Sequence, residues 1–242
     1  TNPQVAHATS SHPEGPYTRK SLVLPAEHHN PTVKLGVDGS WNIYSISATS
    51  GPIGVATSAS GGPNGPWTYN DSMPVSPQQN PGPLMLANGS VYMYYRSSAA
   101  GVGPCSTESI GVSVCANRTE PCVDLHNPIF NHTAEDPSVF IDHRGNYHML
   151  TNALPGGCNP KAAAGGHAWS RDGLIWSEPT VGAFNTTIHF TDGTSELCGR
   201  RERPQMMLDG QGLPIVLFTG VTGCQNGTYT LAQPVGNPTR NQ

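Results

Sequence analysis

The sequence predicts an all-β fold, a five-bladed β-propeller with one incomplete blade. The first observation is a spacing: in four segments a Pro is followed eight residues later by a Gly, at Pro31 and Gly39, Pro81 and Gly89, Pro137 and Gly145, and Pro204 and Gly212. The second is that each such segment reads as strand, tight turn and strand, with a third strand following every time. The third is compositional: Gly 28 and Pro 23 are dispersed among apolar runs, which marks many turns, and no long helical period appears. Four-stranded units of ~40–50 residues, none able to bury its face alone, describe propeller blades. A β-sandwich with irregular strands is the competing reading, and the fixed Pro-to-Gly spacing favours the propeller.

Taken in order, "QVAHATSSHPEGPYT" (4–17) supplies only the third and fourth strands of a blade. The complete units begin with "HNPTVKLGVDGSWNIYSI", "NPGPLMLANGSVYMYYRS", "EDPSVFIDHRGNYHMLTN" and "ERPQMMLDGQGLPIVLFTG". In each, the Pro opens a strand without costing a ladder bond, and the Gly supplies the positive φ of the hairpin turn. Third strands follow at "IGVATSAS" (53–60), "IGVSVCAN" (110–117), "GHAWSR" (166–171) and "TYTLAQPV" (228–235). Short aromatic fourth strands are expected in "HPEGPYT", "GGPNGPWT" and "RDGLIWSEP". The whole chain, 1–242, is expected to form one propeller domain, with closure by four blades as the alternative count. The strands missing from the first blade are expected from residues upstream of Thr1, or from a neighbouring subunit. Exchange between subunits would give head-to-tail self-assembly into a filament.

Only 12% of the residues are charged, the formal charge is −4, and no Lys/Arg cluster could track phosphates, so nucleic acid is not an expected partner. No apolar run approaches the ~20 residues of a bilayer span, so membrane insertion is not expected. Six cysteines form an even set without a C-x-x-C pair, beside six N-x-[ST] sequons at Asn70, Asn88, Asn117, Asn131, Asn185 and Asn226. Together they point to a secreted, disulfide-bonded glycoprotein. Blade direction puts Cys115 and Cys122 around the turn after a third strand, and Cys105, Cys158, Cys198 and Cys224 on the opposite face. The expected pairs are Cys115–Cys122, Cys198–Cys224 and Cys105–Cys158.

The x-D-P opening of an inner strand, the G-x-Y after its turn and the later E-x-P resemble the five-bladed propellers of glycoside hydrolase family 43 and arabinanase-like proteins. "AEDP", "GGHAWSRDG" and "RRERPQ" are similar to a secreted branch of those propellers. The resemblance implies three acids at the starts of inner strands: a general base, an Asp that tunes the acid, and a Glu general acid. Carried over by motif, Glu202 matches the acid and Asp136 the tuning Asp, while the base position falls on Asn30. An amide cannot take a proton from water, so inverting hydrolysis would be crippled. Glu135 could substitute, but neighbours on a regular strand point to opposite faces.

Asp136 shares its repeat position with Asn30, Asn80 and Arg203, and in a propeller such positions surround the mouth of an axial pocket. The plainer reading is that Asp or Asn before Pro caps strand entry. Glu202, flanked by Arg200, Arg201 and Arg203, reads equally as a salt-bridged structural acid. Arg96 near the end of a second strand and His167 at the start of a third are candidate contacts to sugar hydroxyls, against a surface cation and a loop histidine. Asn30, Asn80, Arg96, Glu135, His167 and Arg203 are thus the candidate substrate-binding set, with polysaccharide or oligosaccharide as the partner. His28 and His29 lack a third clustered ligand, so no metal is expected, and no P-loop, G-x-S-x-G or zinc-protease spacing implies a cofactor. "SRDGLIW" (170–176) resembles the Asp-box turn of sialidase-type propellers, a structural element. Two functions stay open: a carbohydrate-active propeller, or a non-catalytic lectin-like or structural extracellular protein.

Overall fold

The same five-residue turn closes each of the four strand pairs. Its backbone bonds run Gly36 N to Ser40 O, Leu86 N to Ser90 O, Asp142 N to Asn146 O and Asp209 N to Leu213 O, at 2.7–2.9 Å. At its fourth position stand Gly39, Gly89, Gly145 and Gly212, with φ of 79°, 85°, 83° and 79°, a left-handed conformation that other residues adopt at a cost. This repeat sets the architecture of the computed structural model, which describes residues 4–47, 51–58, 62–69, 75–97, 108–126, 128–130, 134–153, 164–225 and 227–236.

The chain divides into two compact units: Thr1–Ser10, Pro16–Ala99 and Glu108–Ile129 form the first, and Ser11–Gly15, Ala100–Thr107 and Phe130–Gln242 the second. In the first, β1 (Ala6–Thr9) and β2 (Thr18–Leu22) make a two-stranded sheet. Two four-stranded antiparallel blades follow. One comprises β3 (His28–Leu35), β4 (Trp41–Ser47), β5 (Ile53–Ser58) and β6 (Thr68–Tyr69). The other comprises β7 (Gln79–Met85), β8 (Val91–Ser97), β9 (Ser109–Cys115) and β10 (Cys122–His126). β7 packs against β3, β4 and β5, around a core that includes Tyr44, Ile53, Val75, Val91, Met93 and Tyr95. Each large side chain so buried contributes about 1.5–3 kcal/mol.

The second unit repeats the plan. β11 (Ala134–Ile141), β12 (Tyr147–Ala153), β13 (Ala164–Ser170) and β14 (Thr180–Val181) form one blade. β17 (Arg200–Leu208), β18 (Pro214–Cys224) and β19 (Gly227–Pro234) form a three-stranded blade. Between them in sequence lies a hairpin of β15 (Thr187–His189) and β16 (Ser195–Leu197). β17 packs on β11, β12 and β13, over Leu150, Phe184 and Leu217.

The fold is therefore an all-β propeller with four blades among the described residues, two in each unit, which is the alternative count. That corrects the expected five: residues 4–22 form a separate two-stranded sheet, β1–β2, seated by Val5 and Leu24 on Ile43 and Ala56. One local expectation also changes. The fourth strand after β13 is Thr180–Val181, whereas Trp176 makes a lone bridge to Ser170. The inner strands begin near the repeated prolines, with pairing starting two to four residues before them, at His28, Gln79, Ala134 and Arg200.

Candidate functional site

Each inner strand breaks its register at the residue before the Pro. Pairing jumps between His29 and Thr32, Gln79 and Gly82, Glu135 and Ser138, and Glu202 and Gln205. Two residues thus oppose one on the partner strand, which is a β-bulge. The first of the two is Asn30, Asn80, Asp136 or Arg203, with φ of 50°, 52°, 54° and 55°. Apart from Glu27, these are the non-glycine residues with positive φ among the described residues. A residue before Pro is ordinarily held to extended backbone, so a left-handed one at all four mouths is a strained, repeated device. It also removes the strict alternation that would otherwise set Glu135 and Asp136 on opposite faces.

In the second unit, Asp136 is 8% exposed, and Glu135 beside it accepts a hydrogen bond from Asn152 Nδ2 at 3.2 Å. On β17, Glu202 is ion-paired on both oxygens, to Arg200 at 3.3 Å and Arg203 at 3.6 Å. Arg201, between them, turns inward. Its Nε donates to Thr219 at 3.0 Å, and its terminal nitrogens to Asn185 O at 3.2 Å and Gln233 Oε1 at 2.6 Å. Its guanidinium lies 5.0 Å from the Phe184 ring centroid, and burial lowers its pKa to about 10. The run "RRER" gave no sign of which arginine would be the buried one.

In the first unit, Asn30 Nδ2 donates to Asn80 Oδ1 at 2.7 Å, so adjacent mouths are linked by their own side chains. Below them Thr32 Oγ1 donates to Pro81 O at 2.9 Å. Arg96 stands opposite Gln79, donating to its Oε1 at 3.0 Å, and pairs with Glu108 at 2.9 Å. It is therefore an anchored cation at the mouth end of β8.

His167 does not begin its strand. It is centred in β13, opposite Leu150, and its Nε2 lies 3.0 Å from His148 Nδ1. His148 Nε2 in turn lies 3.3 Å from Asp142 Oδ2, in the turn at the far end of the blade from Asp136. Sequence reasoning missed this chain; its only signal was the pairing of "NYHML" with "GHAWS". Burial lowers the His167 pKa first, and the neighbouring His148 second.

His28 is buried, with Nδ1 3.0 Å from Pro25 O and its ring edge-on to Tyr69. Among the described residues Glu196, Cys198 and Cys224 come close enough to share an ion, but the two sulfurs are bonded to one another. Cys115 and Cys122 form a second disulfide; Cys105 and Cys158 lie outside the described residues. Of the sequons, Asn88, Asn117 and Asn185 occupy turns in which Oδ1 accepts from the backbone N–H two residues on. Asn70, Asn131 and Asn226 lie outside the described residues.

No family model and no curated protein matches the sequence. Solved structures do match in fold. A thermostable family-43 glycoside hydrolase superposes with a TM-score of 0.62 at 15% identity, covering 90% of this chain and 77% of its own. An endo-1,4-beta-xylanase from Bacteroides thetaiotaomicron gives 0.60 at 15%, covering 91% and 82%. An alpha-L-arabinofuranosidase from Lactobacillus brevis gives 0.61 at 12%, covering 92% and 80%. Likeness at such identities establishes the fold.

Proposed function

We propose that the protein is a secreted glycoprotein that binds an extracellular polysaccharide at the mouths of its inner strands, and that its hydrolytic power is crippled. The observation that carries this reading is the left-handed, bulged residue before Pro, repeated as Asn30, Asn80, Asp136 and Arg203. It supports a polar side chain held at an equivalent place on every inner strand, as hydroxyl recognition needs. Arg96 and Glu135, fixed beside these positions, add a donor and an acceptor, and His167, deeper in its strand, is left out of this set. The fold's likeness to glycoside hydrolases points to polysaccharide as the ligand class. Of the four positions only Asp136 is a carboxylate. Water-activated inversion needs a basic carboxylate facing an acid, and an amide at Asn30 cannot serve. Glu202, ion-paired to an arginine on each oxygen, is the residue that matches the acid, so the base position is the one the reaction lacks.

The test uses soluble 1,4-β-xylan and arabinoxylan, with binding read by calorimetry and cleavage by reducing ends. Wild-type protein binds with little cleavage, Asp136→Asn weakens binding about tenfold, and Asn30→Asp raises cleavage at least tenfold. The new carboxylate can keep its link to position 80 if the Asn80 amide turns to donate. Binding unaffected by Asp136→Asn would sink the reading; wild-type turnover equal to that of Asn30→Asp would sink its account of the missing base.

A structural, self-assembling role is the second reading. It is favoured by β1, which pairs only with β2 among the described residues, and by the exposed apolar row of Val33, Leu35 and Val37 on and just after β3. Light scattering of the same samples reads it directly.

A further inference from the structure

Blade β11–β14 carries a hollow of about 350 Å³ lined by Trp169, Arg171, Asp172, Ile175, Trp176 and Ser177. We propose that this hollow is a second carbohydrate-binding site, in which Trp169 stacks against a sugar ring while Arg171 and Asp172 bond its hydroxyls. It takes its ligand class from the reading above but uses a different surface. Trp169 pairs with His148, at the turn end of the blade, whereas Glu135, the residue before Asp136, pairs with Asn152 and through it is level with Gly165 at the other end. Four residues of strand separate Trp169 from Gly165, roughly 13 Å.

The apolar part is exposed although it is expensive to leave so. Trp169 is 50% and Ile175 77% exposed, beside a second indole. The site is also built before any ligand arrives. Ser177 N donates to Trp169 O at 2.9 Å and Ser177 Oγ accepts from Trp169 N at 3.1 Å, tying the two walls together. Asp172 Oδ1 accepts from Leu174 N at 2.8 Å and Ile175 N at 2.9 Å, and Trp176 Nε1 donates to Gly173 O at 2.9 Å. Those bonds fix the loop while using one carboxylate oxygen. Asp172 Oδ2 and the Arg171 guanidinium have no partner among the described residues.

The chemistry selects the occupant. An indole offers a flat, electron-rich face that suits the C–H side of a pyranose or furanose ring. One cation and one anion side by side supply donors and acceptors for neighbouring hydroxyls, and neither charge is matched by a singly charged ligand without repulsion from the other. The volume is at the lower end for small-ligand clefts, which run about 300–1,000 Å³. The six residues that line the hollow are far short of the roughly 20–30 that each side of a protein interface presents.

Gel retardation in soluble arabinoxylan and in 1,4-β-xylan tests the site on the full chain. The wild-type protein should be retarded, and Trp169→Ala should weaken retardation about tenfold while its melting curve stays that of a folded protein. Trp169→Phe, which keeps a ring, should retain most of it, and Arg171→Ala should lose part. Retardation of Trp169→Ala equal to wild type overturns the proposal, as does no retardation in either polysaccharide. If Trp169→Ala is unchanged while Asp136→Asn loses binding, the outer site falls and the mouth stands. Loss in Trp169→Ala alone establishes the outer site and removes the mouth.

Discussion

Arg203 is the misfit among the four bulged residues. Asn and Asp tolerate left-handed backbone because their short polar side chains bond locally, whereas a long side chain there costs about 1–2 kcal/mol. Arg203 holds φ of 55° and receives in return an exposed pair to Glu202 at 3.6 Å, worth about 0–1 kcal/mol. Arg203→Asn should therefore stabilise the fold by about 0.5–1 kcal/mol in urea unfolding. An unchanged or lowered midpoint would mean that the bulge carries no strain at this position. The repeat position of Asp136 was legible from spacing alone, because Pro and Gly punctuate every unit. Its φ was not, since nothing local in "EDP" distinguishes a cap from a bulge. His167 was misplaced for a related reason: the third strand was expected to start at Gly166, yet Gly165 already pairs with Asn152 and the ladder reaches back to Ala164.

At the scale of the element, the turns come in two chemical versions of one backbone. Asp38, Asn88 and Asp192 sit third in their turns, and each caps the hydroxyl and N–H of the Ser or Thr two residues on. Asp142 and Asp209 sit first and cap two backbone N–H groups of the turn instead. The hairpin β15–β16 uses the first version, closing from Phe190 N to Thr194 O with Gly193 at φ 85°. Its Asp-Gly was visible in the sequence, but no Pro precedes it at the repeat spacing, so it went unassigned. The disulfides act on elements too: Cys115–Cys122 closes seven residues across β9 and β10, and Cys198–Cys224 closes 26 from the end of β16 to the end of β18. Loop-closure entropy grows with the logarithm of length, so Cys198→Ser with Cys224→Ser should cost about 1 kcal/mol more than Cys115→Ser with Cys122→Ser. Equal losses in paired denaturation curves would show that strain or denatured-state structure dominates.

For the whole molecule, stability should fall with acid in two stages. The His167 pKa is lowered in the fold, so the unfolded chain binds more protons there. Its contribution is complete above the unfolded value of about 6.5 and is lost as pH drops below it. The turn acids form the second stage. Desolvation raises the Asp142 pKa, but hydrogen bonds from Asn146, Arg144 and His148 outweigh it and leave it well below the carboxylate range. Bonds from Ser40 to Asp38, from Ile175 and Leu174 to Asp172, and from Thr194 to Asp192 lower those acids too. Their stabilisation is present above about pH 4, the unfolded carboxylate value, and fails beneath it. Urea midpoints should drop between pH 7.5 and 5.5, and His167→Gln should flatten that step while leaving the lower one. A wild-type midpoint flat from pH 7.5 to 5.5 would remove His167 from the account.

The sequence by itself determined the all-β class, the four strand-turn-strand units, their third strands and the positions at the inner-strand mouths. These follow from local chemistry: Pro and Gly restrict φ, and period-two apolar runs need a buried face. Only the tertiary structure decided the rest. It set the blade count, because β1–β2 docks as a sheet of its own. It also chose Arg201 for burial and Arg203 for the left-handed bulge, and it joined Asn30 to Asn80 and His148 to His167. Those outcomes depend on which neighbour a side chain meets across a sheet or between sheets, which local preference does not encode.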